Sequence, residues 1–184
     1  MMALDHLFQR WRIAQAAPWI APGSRVLDVG CAEGALFRQL RDRVREGVGI
    51  DSGLRERVVQ DRYQLLPGRF PDALTGSQAF DAITLLAVLE HVPPAQQPSL
   101  ARACAQWVVP GGHLIVTVPG PLVDPILDVL LFLRLIHGMA LEQHYGFQPE
   151  GTPGIFEPHG FELVRTSRFE LGLNHLFVFR RLPA

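Results

Sequence analysis

The sequence contains no lysine: all 17 basic side chains among its 184 residues are arginines. A P-loop, a Schiff-base centre and a protein-kinase site each require a lysine, so these classes of enzyme are excluded. The net charge is −1 and the pI is about 6.6. This balance argues against a nucleic-acid-binding surface and against a polybasic membrane anchor.

Cysteine is also scarce, since the chain has only Cys31 and Cys104, which form no C-x-x-C motif. This usage is typical of a reduced cytoplasmic protein without disulfides. No set of histidine, cysteine and acidic residues has metal-ligand spacing, so we expect no metal. Residues 1–12 do not resemble a signal peptide, and the longest apolar run in the most apolar stretch, residues 129–133, is too short to cross a membrane.

Apolar periodicity divides the chain into alternating strands and helices. The spacing predicts an N-terminal helix over residues 3–16 within an N-terminal segment, residues 1–22, a second helix after the glycine-rich loop, and a third over residues 95–108. The predicted strands cover residues 25–29, 47–50, 63–66, 80–86, 113–118, 161–169 and 176–181.

The order of these elements predicts an α/β fold. Strands that alternate with helices form a parallel sheet with helices on both faces, and helices are expected in the less regular connections too. Only residues 170–175 separate the last two strands, so those strands must be antiparallel. We therefore predict a single domain over residues 1–184, with a doubly wound, seven-stranded, mostly parallel sheet that ends in a C-terminal antiparallel hairpin.

A glycine-rich loop, Gly30-Cys-Ala-Glu-Gly34, follows the first strand and precedes a helix. In doubly wound folds this position holds the ligand, because backbone N–H groups and a helix N-terminus meet there. Asp51 ends the second strand, where a carboxylate can accept hydrogen bonds from ribose hydroxyls. The two features together predict a cofactor that carries a ribose.

Asp28 distinguishes between two such cofactors. A nicotinamide fingerprint needs a glycine where Ala32 stands, and the Asp28 carboxylate would repel a pyrophosphate. A carboxylate there suits an amino group, which favours S-adenosylmethionine over a dinucleotide. The alternative is structural, with Asp28 as a strand-end acid that caps the loop.

Four segments, taken in order, resemble the class I S-adenosylmethionine-dependent methyltransferases. They are residues 26–34 (Val-Leu-Asp-Val-Gly-Cys-Ala-Glu-Gly), 49–51 (Gly-Ile-Asp), 80–92 (with the ending Leu-Glu-His-Val) and 107–118. The similarity is greatest to the small bacterial enzymes of the ubiquinone and menaquinone biosynthesis type. It implies the Rossmann-like methyltransferase fold and S-adenosylmethionine as the cofactor.

The resemblance also assigns cofactor contacts. It implies that the methionine end lies against Asp28, Gly30, Cys31, Ala32, Gly34 and the backbone of Leu86, and that Asp51, flanked by Ser52, holds the ribose. The chain departs from the family at Ala32, where a glycine is usual. It departs again at Arg69, where an acid often binds adenine, so packing by Phe70 is expected instead.

The candidate catalytic residues come from two places. Glu90 and His91 follow the fourth strand, and His144 and Tyr145 lie in the segment between the fifth and sixth strands. That segment, residues 121–148, contains a predicted helix from Pro125 to His137 that is apolar nearly all round. We expect it to form a lid, a homodimer contact, or a site for an apolar or lipid-linked acceptor.

The sequence therefore predicts a cytoplasmic methyltransferase that acts on a small molecule, at oxygen in preference to nitrogen or carbon. Two alternatives stay open. One is a cofactor-binding module without catalysis, and the other is a small nicotinamide-dependent oxidoreductase. No nucleic-acid partner is expected.

Overall fold

The computed structural model describes residues 3–76, 79–120 and 147–183. Within those ranges one sheet contains β1 Ser24–Val29, β2 Val44–Asp51, β3 Val58–Val59, β4 Tyr63–Pro67, β5 Phe80–Leu86, β6 Val108–Pro119, β7 Phe161–Phe169 and β8 Asn174–Arg181. The α-helices there are α1 Ala3–Ala16, α2 Ala35–Leu40, α3 Gln97–Trp107 and α4 Thr152–Phe156.

The strand order is β3-β4-β2-β1-β5-β6-β8-β7. Strands β4, β2, β1, β5 and β6 are parallel, whereas β8 is antiparallel to both β6 and β7. The predicted fold class is therefore confirmed. After β1 the chain adds β2 and β4 on one side of β1, and it then crosses over to add β5 and β6 on the other side. The strand order therefore reverses beside β1, and doubly wound folds bind ligands at such a switch point.

Strand β3 is an eighth strand that the sequence analysis did not predict. Val58 and Val59 pair antiparallel with Leu65 and Gln64 at one edge of the sheet. The alternation of elements predicted a helix here, and that prediction is wrong. Residues 52–62 are too few for the usual helical crossover of a dozen or more residues, so the chain turns back as a short edge strand.

Strand β6 begins five residues before its predicted start at His113. Val108 pairs with Phe80 and His113 pairs with Ala82, so the register shifts between these two pairs. Pro110 and the two glycines after it were expected to end a helix and precede the strand. They lie instead in this bulge, because a bulge accepts extra residues without ending the strand.

The helices cover both faces of the sheet with separate apolar cores. On one face Ile13 of α1 and Leu36 of α2 pack with Val26 and Ile115. On the other face side chains from α3 and α4 pack against alternate residues of the same strands, namely Cys104 and Phe156 with Leu27, Ile83 and Leu114. This alternation is what a strand with both faces buried requires.

Helix α1 forms over the predicted residues but buries a different face. The prediction rests on apolar residues at helical spacing that include Leu7 and Trp11, yet these two are 55% and 42% exposed, and Ile13 and Ala16 are buried instead. Helical periodicity predicts that a helix has an apolar face, but it does not predict which turns of the helix contact the sheet. Here the last turns of α1 make that contact. No helix in the described ranges is long and apolar enough to cross a membrane.

Gly47 of β2 marks the closest approach of α2 to the sheet. An added Cβ would lie 2.5 Å from Cε1 of Phe37 and 2.9 Å from Cβ of Tyr63. The rings of Phe37 and Tyr63 are themselves stacked, with centroids 5.0 Å apart. Because Gly47 has no side chain, the stacked rings can pack α2 closely against the sheet.

We expect Gly47→Ala to lower the free energy of unfolding by about 1–3 kcal/mol, the usual cost of overpacking. Urea denaturation measures this loss. The matched control is Gly154→Ala in α4, where an added Cβ meets nothing within 4 Å. The control should leave stability unchanged or slightly raised. Equal stability of the two variants would contradict the packing argument.

Candidate active site

The glycine-rich loop turns sharply at Gly30, directly after β1. Gly30 has φ +75°, and an added Cβ would lie 2.4 Å from Cγ2 of Val88. The N–H groups of Gly30 and Cys31 donate to the carbonyl of Ile50 at 2.8 and 3.3 Å. Only glycine combines this backbone conformation with such close approach, so the loop is held against both β2 and the end of β5.

Ala32 makes the turn that the family usually makes with glycine. Its φ is +45°, a left-handed conformation that costs a non-glycine residue roughly 1–2 kcal/mol. Its N–H donates to Oδ2 of Asp51 at 2.8 Å. The methyl group thus leaves the loop geometry in place, and a charge-assisted hydrogen bond offsets the strain.

Asp51 joins the two loops at the carboxyl edge of the sheet. Its Oδ1 accepts the N–H of Gly53 at 2.8 Å, and its Oδ2 accepts the N–H of Ala32. Each carboxylate oxygen has a second lone pair, so the half-buried group can still accept two more hydrogen bonds. Ser52 is exposed in the turn that follows.

Asp28 is buried at the end of β1, with 4% of its surface exposed. The hydroxyl of Thr84, which lies opposite in β5, donates to its Oδ1 at 2.6 Å. Burial raises the pKa of Asp28 to about 7, and the nearby charge of Asp51 adds to this rise, while the hydrogen bond from Thr84 opposes it. A cation bound beside Asp28 would favour its ionised form.

A cavity of about 210 Å³ opens above the loop. It is lined by Gln9, Arg12 and Ile13 of α1 and by Asp28, Gly30 and Leu86. A guanidinium and a carboxylate thus face the same space, and together they can hold a ligand that carries both an anionic and a cationic group.

Sequence analysis did not identify Arg12 as a site residue. It lies 18 positions before Gly30, on a helix that was predicted from its apolar spacing and to which no role in the site was assigned. Its Nε is buried and has no hydrogen-bond partner within the described part of the chain. Arg10 lies two positions away on the same helix, so the sequence contains no signal that singles out Arg12.

The other predicted cofactor residues do not all line this cavity. Cys31 lines the cavity, and burial raises the pKa of its thiol, so it stays protonated. Gly34 begins α2 with φ +77°. Phe70 is half-buried and packs against the core on the α3 side of the sheet.

Only two of the four predicted catalytic residues lie in the described ranges. Glu90 and His91 form a 3-10 turn, Leu89–His91, just after β5. Glu90 is 2% exposed and His91 is half-buried. His144, Tyr145 and the predicted helix from Pro125 lie outside the described residues. Within those residues no group of three or more histidine, cysteine and acidic side chains could hold a metal ion.

Solved structures with this fold include two methyltransferases. The N-methyltransferase NodS from Bradyrhizobium japonicum has a TM-score of 0.68 at 15% identity, and the match covers 97% of both chains. Magnesium protoporphyrin IX methyltransferase from Synechocystis, solved with bound SAH, has a TM-score of 0.67 at 17% identity, over 95% of this chain and 84% of that one. At these identities the likeness establishes the fold.

Sequence comparisons establish the family. A ubiquinone biosynthesis O-methyltransferase from Nitrosococcus oceani is 30% identical over 175 residues, which is 82% of this chain and 72% of that protein. One from Photorhabdus laumondii is 36% identical over 101 residues, 50% of this chain, and the match spans only 41% of that relative. The family model for the methyltransferase domain matches residues 4–166. The chain therefore belongs to the methyltransferase-domain family, as the class I S-adenosylmethionine-dependent methyltransferase motifs in its sequence predicted.

Proposed function

We propose that the protein transfers a methyl group from S-adenosylmethionine to an oxygen atom of a small-molecule acceptor. The observation that carries this proposal is the arrangement of Asp28, Asp51 and Arg12 around one glycine-rich loop. Each of the three offers the charge that a different part of this cofactor needs. Family membership and the O-methyltransferase relatives support the same reaction.

Asp51 suits the ribose. Its two oxygens already hold the N–H groups of Ala32 and Gly53, which fixes the carboxylate in place. The remaining lone pairs can accept the 2′- and 3′-hydroxyls of a ribose. For the adenine we keep the predicted packing by Phe70 as a proposal.

Asp28 and Arg12 suit the amino-acid end. The α-ammonium beside Asp28 and the α-carboxylate beside Arg12 would satisfy two groups that line the same cavity. A pyrophosphate at this position would meet the buried Asp28 carboxylate, which counts against the nicotinamide alternative. When bound, S-adenosylmethionine supplies an activated methyl group, so the protein contributes mainly by positioning the reactants.

We place the acceptor beyond the carboxyl end of β5. Glu90 and His91 lie at that end, and the segment 121–148 with His144 and Tyr145 connects β6 to α4. Their direct contact with an acceptor is a proposal. An apolar or lipid-linked acceptor, and a homodimer through the same segment, remain predictions from its sequence.

Two measurements separate this function from its alternatives. Calorimetry with S-adenosylmethionine and with NADH tests which cofactor binds. A turnover assay for released S-adenosylhomocysteine, on a panel of hydroxyl and amino compounds, tests catalysis. Binding without any turnover would support the non-catalytic alternative, and binding of NADH alone would contradict the proposal.

We expect Asp28→Asn to lower the affinity for S-adenosylmethionine and to flatten the pH dependence of stability. The carboxyl group of Asp28 has a higher pKa in the folded chain, about 7, than its ordinary value of 3.8. The folded state therefore binds the proton more tightly, and wild-type stability should fall as the pH rises from about 4 to about 7. Urea unfolding of both apoproteins at pH 5 and pH 8 measures the difference. Parallel pH profiles would show that the shift of Asp28 is absent.

We expect Asp51→Ala to weaken binding of S-adenosylmethionine by about 10- to 100-fold. Hydrogen bonds to a charged group contribute about 1.5–3 kcal/mol each, and each 1.4 kcal/mol is tenfold. Calorimetry at fixed pH measures the change. Asp61→Ala is the matched control because its side chain is 98% exposed. Unchanged affinity in Asp51→Ala would refute the ribose assignment.

We expect Arg12→Met to weaken the same binding by about tenfold or more, because the α-carboxylate loses a charge-assisted hydrogen bond. Methionine keeps most of the apolar length of the side chain. Arg10→Met on the same helix is the control, since Arg10 is exposed and does not line the cavity. A loss of equal size in the two variants would point to long-range charge and not to contact.

A further inference from the structure

The turn between β7 and β8 has an unusual backbone. Glu170, Leu171 and Gly172 all have positive φ, at +52°, +57° and +87°. Two of these three residues are not glycine, so the backbone of the turn is strained, and contacts with the surrounding structure must stabilise it. The conformation leaves Leu171 fully exposed and turns Glu170 inward, where only 4% of its surface is exposed.

The Glu170 side chain is held on one side only. The side-chain amide of Asn174 donates to its Oε2. Oε1 of Glu170 and Oδ1 of Asn174 are both buried, and neither has a hydrogen-bond partner among the described residues. Buried acceptors without partners are rare in proteins, and two side by side indicate a place for a ligand that donates hydrogen bonds.

This pair lies at the same edge and on the same side of the sheet as the proposed cofactor cavity. Asn174 pairs with Pro119 at the carboxyl end of β6, which is the edge that carries the glycine-rich loop. Its side chain is on the same face as Leu176, which belongs to the core beneath α1. Strand β8 is two strands from β5, about 10 Å, which is the reach of a small molecule.

Arg12 links the cofactor cavity to the Glu170–Asn174 pair. It lines the cofactor cavity, and its positive charge acts on the Glu170 carboxylate. Burial raises the pKa of Glu170, while Arg12 and the hydrogen bond from Asn174 oppose the rise. A buried carboxylate of this kind is a stronger base than one in water.

We propose that Glu170 binds the hydroxyl group that receives the methyl group and takes its proton, and that Oδ1 of Asn174 accepts a hydrogen bond from a second donor of the same acceptor molecule, such as a neighbouring hydroxyl. This inference rests on the proposed oxygen transfer. In the step, the hydroxyl oxygen forms a bond to the methyl carbon, and the sulfur keeps the electron pair of the broken sulfur–carbon bond. The hydroxyl proton passes to Oε1 of Glu170, so the products are a methyl ether, a neutral thioether and a carboxylic acid.

The test uses Glu170→Gln and two probes that differ in acidity, catechol and 4-nitrocatechol, at pH 8. The nitro compound is already largely ionised there, so it needs no base. We expect the kcat of the variant to fall by at least about 100-fold with catechol and far less with 4-nitrocatechol. Glu157→Gln, at an exposed glutamate, is the control for loss of a carboxylate. His91→Gln tests the other candidate base.

A binding measurement supplements the kinetics and checks the fold. We expect calorimetry of catechol with the S-adenosylhomocysteine complex to show weaker binding in both Glu170→Ala and Asn174→Ala. Equal losses of kcat with the two probes, or a selective loss in His91→Gln alone, would overturn the role of Glu170. A wild-type protein that binds S-adenosylmethionine but methylates neither probe and no other hydroxyl compound of the panel would contradict the oxygen transfer itself, and this inference with it.

Discussion

The Asp51 carboxylate holds the site together before any ligand binds. One oxygen accepts the N–H of Ala32 in the loop after β1, and the other accepts the N–H of Gly53 in the turn after β2. Both loops are thereby fixed at the carboxyl edge of neighbouring strands. Hydrogen bonds to an ionised group are about twice as strong as neutral ones, so one side chain suffices to order two backbone segments.

The topology explains why the remaining groups gather at the same edge. Strands β1, β5 and β6 are parallel, so all three end at this edge. Strand β8 runs in the opposite direction, so it begins at the same edge, directly after the turn that carries Glu170. Asp28 and Asn174, 146 positions apart, thus lie on one edge and on the same side of the sheet. Helix α1 covers this side and brings Arg12 to it.

Much of this arrangement could be predicted from the sequence, and the exceptions have physical reasons. Strands β5 and β7 have their predicted bounds, and β5 shows the strong apolar pattern that fixes such bounds. The edge strand β3 was missed since two residues give no periodicity. Arg12 and Glu170 were missed because their neighbours in space are distant in sequence. No local pattern marks such residues, whereas Asp28 and Asp51 were found because each lies at or near the end of an apolar strand beside the glycine-rich loop.

The position of Arg12 on α1 ties the N-terminal helix to the ligand energetically. Helix α1 contacts the sheet mainly through its last turns, where Ile13 and Ala16 are buried. In the proposed binding mode, a ligand carboxylate held by Arg12 would add an anchor at the same turns and would stabilise the docked helix by mass action. Occupancy of the site would thus be coupled to the docking of the helix that closes one side of the core.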